Sequence, residues 1–259
     1  YLLERIVSEH YVHHPAQPGV IVYVGDYIDR GAHSREVMDR VMRGQPGFET
    51  VCLKGNHEEL LLNCFGNEEV HHWETWLQNG GEATAASFGL RFKYATYDPA
   101  GLESALGKHR VQWLRGLKTH YRAGPYFFVH AGIVPGGPLE ELREKDLLWI
   151  RRDFLESEAD HGVCVVHGHT PGPDPVVKSN RIGIDTGPTY WGTLTAVALA
   201  EGREPRFITV SGAAGDGAGH VSHANACGYP FKRMHPCCTA AAAASAAAAA
   251  PAAAVAVAT

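Results

Sequence analysis

Six cysteines in 259 residues are too few and too scattered for a disulfide framework. Cys52, Cys64 and Cys164 sit in apolar runs and read as small core residues. No run of roughly 18 strongly apolar residues occurs, so no membrane-spanning helix is expected. An excess of basic residues is also missing. There are 23 Lys and Arg against 28 Asp and Glu, a net charge of −5 with the histidines neutral. A sequence-independent nucleic-acid binder would carry the opposite sign. No internal repeat is present. The chain opens without Met, inside the apolar periodic segment Tyr1-Leu2-Leu3-Glu4-Arg5-Ile6-Val7. It therefore reads as cut at its front, with any leader upstream out of view.

What is present is a globular composition, 45% apolar and 20% charged. Length favours one large domain, since α/β folds often exceed 200 residues. The character changes after Val210. Residues 211–239 are rich in Gly, Ala, His and Cys, and residues 240–259 are mostly Ala with Pro251 interrupting. The domain is therefore assigned to 1–210. Residues 211–259 are expected to be a low-complexity tail, disordered or non-native, and are excluded from functional reasoning. Cys227, Cys237 and Cys238 with His220, His223 and His235 do not make a zinc module, because no C-x₂-C pair exists and adjacent cysteines suit one tetrahedral ion poorly.

Val20-Ile21-Val22-Tyr23-Val24 is a continuous β-branched run, the signature of a strand buried on both faces. It ends at Gly25-Asp26. Ser34 can cap a helix that shows Val37, Met38, Val41 and Met42 on one face. A short strand follows at 49–53, then Gly55-Asn56-His57 and a helix. Residues 66–120 read as mostly helical, anchored by Trp73, Trp76, Trp113 and Leu114. Strands are expected at 126–129, 163–166, 181–185, 193–199 and 206–210, with a charged helical stretch at 138–156. The recurring strand-loop-helix unit argues for an α/β fold with a parallel or mixed sheet.

Four apolar strands end in loops that carry Asp26, Asn56, His130 and His169. Ligands of open α/β sheets bind at such carboxyl ends. Each of these residues alone could be turn chemistry or a structural histidine. Together, each within two residues of a Gly, they form a mixed oxygen and nitrogen set that suits Mn²⁺, Fe or Zn²⁺ better than Ca²⁺.

These residues carry a resemblance. Gly25-Asp26-Tyr27-Ile28-Asp29-Arg30-Gly31 and Gly55-Asn56-His57-Glu58 resemble the G-D-x-x-D-R-G and G-N-H-E motifs of the calcineurin-like metallophosphoesterases. His130-Ala131-Gly132 and Gly168-His169-Thr170 are similar to the two later histidine motifs, in the same order. The chain looks most like bacterial serine/threonine phosphatases and their diadenosine tetraphosphatase relatives. The resemblance implies a four-layer α/β/β/α sandwich of two mixed sheets. It implies two divalent metal ions, Mn²⁺ first with Fe or Zn²⁺ as alternatives, and a hydroxide held between them that attacks phosphorus. Asp26 would bridge both ions, and Asn56, His130 and His169 would complete the second. The first ion would take an Asp and a His from a G-D-x-H-G motif that this sequence lacks. The natural protein is expected to carry it ahead of Tyr1; otherwise the chain is a one-metal or metal-free remnant. His167 is a substitute ligand in the H-x-H manner of the wider superfamily, or a strand residue facing a neighbour.

The same resemblance puts Arg30 and Arg151 on the substrate phosphate, Arg151 within Trp149-Ile150-Arg151. A guanidinium can grip two phosphate oxygens at once. Arg152 is adjacent, and a helix would point it elsewhere. His57 would be the general acid, oriented and kept cationic by Asp29. Asp29–Arg30 could instead be a salt bridge across a turn. Asp185 would orient a metal-bound histidine or serve as a turn residue. Lys54 reads as peripheral. Tyr190 and Trp191 either line the substrate groove or pack beneath it. The expected activity is hydrolysis of phosphate monoesters, phosphoserine or phosphothreonine on proteins first. A symmetrical diadenosine tetraphosphate hydrolase and a non-catalytic phosphate-binding remnant are the alternatives. A cytoplasmic location is expected, with a phosphorylated protein or small phosphoester as partner and neither nucleic acid nor membrane.

Overall fold

A computed structural model of the chain describes residues 2–13, 19–66, 69–91, 97–200, 202–213, 216–220 and 253–258. Ten α-helices occur among them, α1 Leu2–His13, α2 Ser34–Met42, α3 Asn56–Asn63, α4 Val70–Trp76, α5 Glu82–Ser87, α6 Pro99–Leu106, α7 Lys108–Arg115, α8 Glu144–Trp149, α9 Arg152–Leu155 and α10 Pro188–Trp191, with a π-helix at Leu77–Gly81 between α4 and α5. The strands are β1 Gly19–Tyr23, β2 Phe48–Cys52, β3 His120–Ala123, β4 Tyr126–Val129, β5 Cys164–His167, β6 Val176–Val177, β7 Arg181–Gly183, β8 Thr193–Ala200, β9 Arg206–Ala213, β10 Asp216–His220 and β11 Ala253–Val257. They form two sheets, one in the order β10-β9-β8-β11-β1-β2 and one in the order β3-β4-β5-β7-β6. Both are mixed: β1 runs parallel to β2 and β11, and β5 parallel to β4 and β7, while β3–β4, β6–β7, β8–β9, β8–β11 and β9–β10 are antiparallel.

Side-chain alternation makes the layers. Val20, Val22 and Val24 point one way from β1 and meet Tyr126, Phe128, Cys164 and Val166 between the sheets. Ile21 and Tyr23 point the other way, into a core built with Met38, Leu61, Trp73, Trp76 and Leu114 from the helices. On the far side Phe127, Val129 and Val165 pack with Leu147 and Phe154 of α8 and α9. The order is therefore helix, sheet, sheet, helix, as the resemblance implied. Among the described residues, no helix is long and apolar enough to cross a membrane.

Three expectations change. Ser34 is not the cap of α2; it lies inside the first turn, and His33 stands at the cap. Its hydroxyl accepts from the Asp29 N–H at 3.2 Å, so tertiary contact took the group that capping would have used. The charged stretch 138–156 is not one helix, because Ile150 is extended and splits α8 from α9. The exclusion of 211–259 also fails for the residues that are described. β9 runs on to Ala213, and Ala253–Val257 lies in the middle of the larger sheet, between β1 and β8. Its alternation is the reason it fits. Val255 and Val257 face the helical core, and Ala254, Ala256 and Ala258 face the tight space between the sheets. The Cys and His residues of 221–250 that were weighed as a zinc module lie outside the described residues, apart from His220 in β10.

Deletion of residues 253–259 would therefore remove a central strand. Burial of each valine contributes about 1.5–3 kcal/mol, and each kcal/mol moves Tm by about 2–4 °C in a chain of this size. The expected outcome in a thermal melt is a Tm lower by about 10 °C or more. An unchanged Tm would restore the original exclusion.

Candidate active site

The carboxyl ends of β1, β2, β4 and β5 meet at one edge where the two sheets face each other. Asp26 follows β1, Asn56 opens α3 after β2, His130 follows β4 and His169 follows β5. The structure brings all four together. Asn56 Oδ1 lies 2.9 Å from both His130 Nε2 and His169 Nδ1, and those nitrogens are 3.1 Å apart. Asp26 Oδ1 is 3.4 Å from His130 Nε2. Asn56, His130 and His169 are buried, and Asp26 is half-buried at the floor of an open cleft of about 460 Å³.

The tautomers follow from the surroundings. The Val24 carbonyl, which can only accept, sits 2.7 Å from His130 Nδ1, so that nitrogen carries the proton. Nε2 then presents a lone pair to the cluster. Burial first, then the neighbouring His130 and Arg151, pushes His169 down to about 2, so its ring is neutral. Its Nε2 is buried without a hydrogen-bond partner. Carboxylate, amide oxygen and two imidazole nitrogens thus converge on one point. A divalent cation satisfies all of them at once. The donor set fits one divalent ion of borderline hardness. Among the described residues, Asp26, His130 and His169 form the one His/Cys/Asp/Glu group in the cleft able to hold a metal. β11 beside β1 brings only Ala and Val.

The backbone is strained where these residues sit. Among the described residues the non-glycine positions with left-handed φ are Asp26 at 61°, Asp29 at 74°, Arg30 at 62° and His169 at 66°. Each costs about 1–3 kcal/mol, and such strain clusters at ligand clamps. Glu58 braces the loop. Its carboxylate accepts the N–H groups of Asp26, Tyr27 and Gly55 at 2.9, 2.7 and 2.8 Å, which ties the β1 and β2 loops together. Burial, with the Asp26 charge adding, pushes Glu58 up to about 8, against the N–H groups of Asp26 and Gly55 and the charge of His57. Gly25, at φ 98°, lets the loops close: a Cβ there would fall 2.6 Å from the Gly55 nitrogen.

His57 follows Asn56 and lines the same cleft. Its Nδ1 lies 2.7 Å from Asp29 Oδ2. The other Asp29 oxygen accepts from the Thr84 hydroxyl at 2.7 Å and the Trp76 Nε1–H at 3.1 Å. Burial works to lower the His57 pKa; the Asp29 hydrogen bond and the charges of Asp26 and Asp29 outweigh it, and the net direction is up. With Asp29 engaged by His57, Thr84 and Trp76, the turn salt bridge to Arg30 does not form. Arg30 is exposed at the cleft, its guanidinium 5.3 Å from the Tyr190 ring centroid. Arg151 reaches the His169 loop, with Nη1 3.2 Å from Thr170 Oγ1. Arg152 turns to Glu156 at 3.1 Å, away from the cleft.

Two sequence readings resolve toward structural roles. Asp185 lines the cleft, but Oδ1 accepts the Gly187 N–H at 2.9 Å, the bond of a turn residue. His130 takes its orientation from the Val24 carbonyl instead. His167 faces the Phe154 ring at 5.1 Å and donates to or accepts from nothing in the cluster, so it is a strand residue rather than a ligand. Lys54 pairs with Glu144 at 2.8 Å. Reading the sequence left Glu58 and Thr84 without roles and made Trp76 a core anchor only. The G-x-x-E spacing of Gly55 and Glu58 is a capping-box signal that could have found the first. Nothing local announces Thr84 or Trp76, which reach Asp29 from 55 and 47 residues away.

The family model for calcineurin-like phosphoesterase matches residues 1–200. The chain belongs to the calcineurin-like phosphoesterase family. Curated relatives include proteins named asymmetrical bis(5'-nucleosyl)-tetraphosphatase PrpE. One, from Anoxybacillus flavithermus (strain DSM 21510 / WK1), is 28% identical over 198 residues, covering 74% of this chain and 78% of the relative. Another, from Bacillus thuringiensis (strain Al Hakam), is 28% identical over 216 residues, covering 76% and 80%. A crystal structure of a metallophosphoesterase from Sphaerobacter thermophilus aligns at a TM-score of 0.35 and 15% identity over 70% of this chain and 71% of the other. At that score it carries no weight for the fold, which rests on the sheet order and layers. Members of this calcineurin-like family generally use two divalent metals.

The cluster and its brace can be separated by titration. Asn56→Ala removes a candidate ligand, and Glu58→Ala removes only the strap between loops. Both are expected to weaken Mn²⁺ binding in calorimetry, Asn56→Ala by about tenfold or more. Glu58→Ala should also lower stability by roughly 1–3 kcal/mol, since three buried N–H groups lose their acceptor. Mn²⁺ affinity unchanged in Asn56→Ala would remove Asn56 from the ligand set.

Proposed function

We propose that this phosphoesterase hydrolyses phosphate esters in the cleft with a divalent cation held by Asp26, Asn56, His130 and His169. The observation that carries the reading is the convergence of those four acceptors at one buried point. When bound, divalent cations polarise phosphoryl oxygens and lower the pKa of water toward neutrality.

The chain's own groups do the rest. Arg30 and Arg151 are charged, exposed and on loops at the cleft, placed to bind the equatorial phosphoryl oxygens. His57 donates a proton to the departing oxygen from Nε2, while Asp29 holds Nδ1–H and keeps the ring cationic. Thr84 and Trp76 fix Asp29 so that the ring does not rotate away. The walls of the two sheets shield the reacting phosphorus and strengthen each of these interactions.

For the substrate, phosphorylated Ser or Thr and a nucleoside polyphosphate use the same centre. The names of the relatives favour the second, with asymmetrical rather than symmetrical cleavage. So does the size of the cleft, which lies within the range for small-molecule sites and exceeds what a phosphoryl group alone fills. Mn²⁺ remains the first choice of metal on ligand chemistry.

The acid role of His57 has a distinct signature. His57→Asn should lower turnover by about 10²–10⁴-fold for alkyl phosphates, whose leaving group needs a proton, and far less for p-nitrophenyl phosphate. Equal losses on both would assign His57 to something other than proton donation. Turnover that survives chelation of divalent ions would sink the cation-dependent reading as a whole.

A further inference from the structure

Among the described residues, the large aromatic side chains that stay more than half exposed are Tyr190 at 53% and Trp191 at 52%. A single exposed aromatic calls for no explanation. These two are adjacent, with ring centroids 5.9 Å apart, and Tyr190 lines the cleft that holds the cation cluster. They stand on α10, a single turn that is firmly held. Asp185 accepts the Gly187 N–H, the Trp191 N–H donates to the Gly187 carbonyl at 2.7 Å, and the Thr186 hydroxyl donates to the Thr193 carbonyl at 2.9 Å. The turn therefore presents Tyr190 at a fixed position rather than on a loose loop. The partner of its ring is Arg30, one of the two guanidinium groups at the cleft.

We infer that Tyr190 is a specificity-determining residue, a stacking platform for the nucleobase of a nucleotide whose phosphate lies between Arg30 and the Asp26/Asn56/His130/His169 cluster. The inference rests on the phosphoester reading of that cluster and names its substrate class. One guanidinium touching both the platform and the phosphate side puts base and phosphate at adjacent stations of the cleft. A purine or pyrimidine offers a flat π face, and stacking on an aromatic side chain is sequence-tolerant and strong enough to change affinity about tenfold or more. A phosphoserine side chain has no flat group and gains nothing from the ring. The platform therefore separates nucleotides from phosphorylated side chains at a centre that treats their phosphates alike.

The test uses the full chain with Mn²⁺ and two probes, AMP and inorganic phosphate, with binding measured by calorimetry. Wild type should bind AMP more tightly than phosphate. Tyr190→Ala should weaken AMP binding about tenfold more than phosphate binding, and Tyr190→Phe, which keeps the π face, should restore it. The same Ala variant should raise KM for a dinucleoside tetraphosphate more than for phosphoserine. Equal loss for AMP and phosphate would mean that the ring only positions Arg30, and would overturn the inference. So would wild-type AMP binding no tighter than phosphate. Intact AMP discrimination in a protein that hydrolyses no phosphoester would instead overturn the proposed function and leave the platform standing.

Discussion

A carboxylate, an amide oxygen and two histidine nitrogens crowded into one buried space are satisfied together by a positive charge between them. Asn56 Oδ1, His130 Nε2, His169 Nδ1 and Asp26 Oδ1 occupy such a space. Val24 takes the only proton that His130 carries in its neutral form, and burial strips His169 of its charge. The arrangement makes sense as a cage for a divalent ion and is costly as anything else. The remaining features of the molecule maintain it. Two sheets converge to bring four distant loops together, and Glu58 ties two of those loops by three hydrogen bonds.

The same constraint explains where strain is stored. Asp26, Asp29, Arg30 and His169 all adopt left-handed backbone. None of them is a residue whose side chain is indifferent to direction: Asp26 and His169 reach the four-residue cluster, Asp29 holds His57, and Arg30 lines the cleft. Ordinary extended or helical backbone would aim these groups along the strand or into the sheet. The surrounding cores supply the stability that holds them off their preferred conformations, chiefly the inter-sheet valines and the Trp73–Trp76 cluster.

Much of this was legible one residue at a time. The apolar runs announced β1, β4 and β5, because strands buried on both faces leave little room for polar residues. The four ligand candidates and the His57–Asp29 pair were legible because motifs of Gly with Asp, Asn or His at strand ends combine turn chemistry with coordination chemistry. Glu58 was printed within a motif yet carried no assigned task, since a carboxylate that serves backbone N–H groups looks like any helix-start Glu. Arg151 and Arg152 were adjacent and indistinguishable until the helix break at Ile150 sent them in different directions.

The sequence by itself determined the α/β class, the candidate ligand cluster and the His57–Asp29 pair, because these depend on residue type and on periodicities that short segments carry. Only the tertiary structure decided which neighbours serve them. Thr84 and Trp76 meet Asp29 through long-range packing, and Asp185 and His167 turned out to bond locally rather than to the cluster. β11 is the sharpest case. An Ala-Val alternation near the end of an alanine-rich stretch has no amphipathic helix to offer and reads as excluded. Between β1 and β8 it meets one tight face and one roomy face, where small and branched side chains are what fit, and that pairing of shapes exists only once the two sheets have come together.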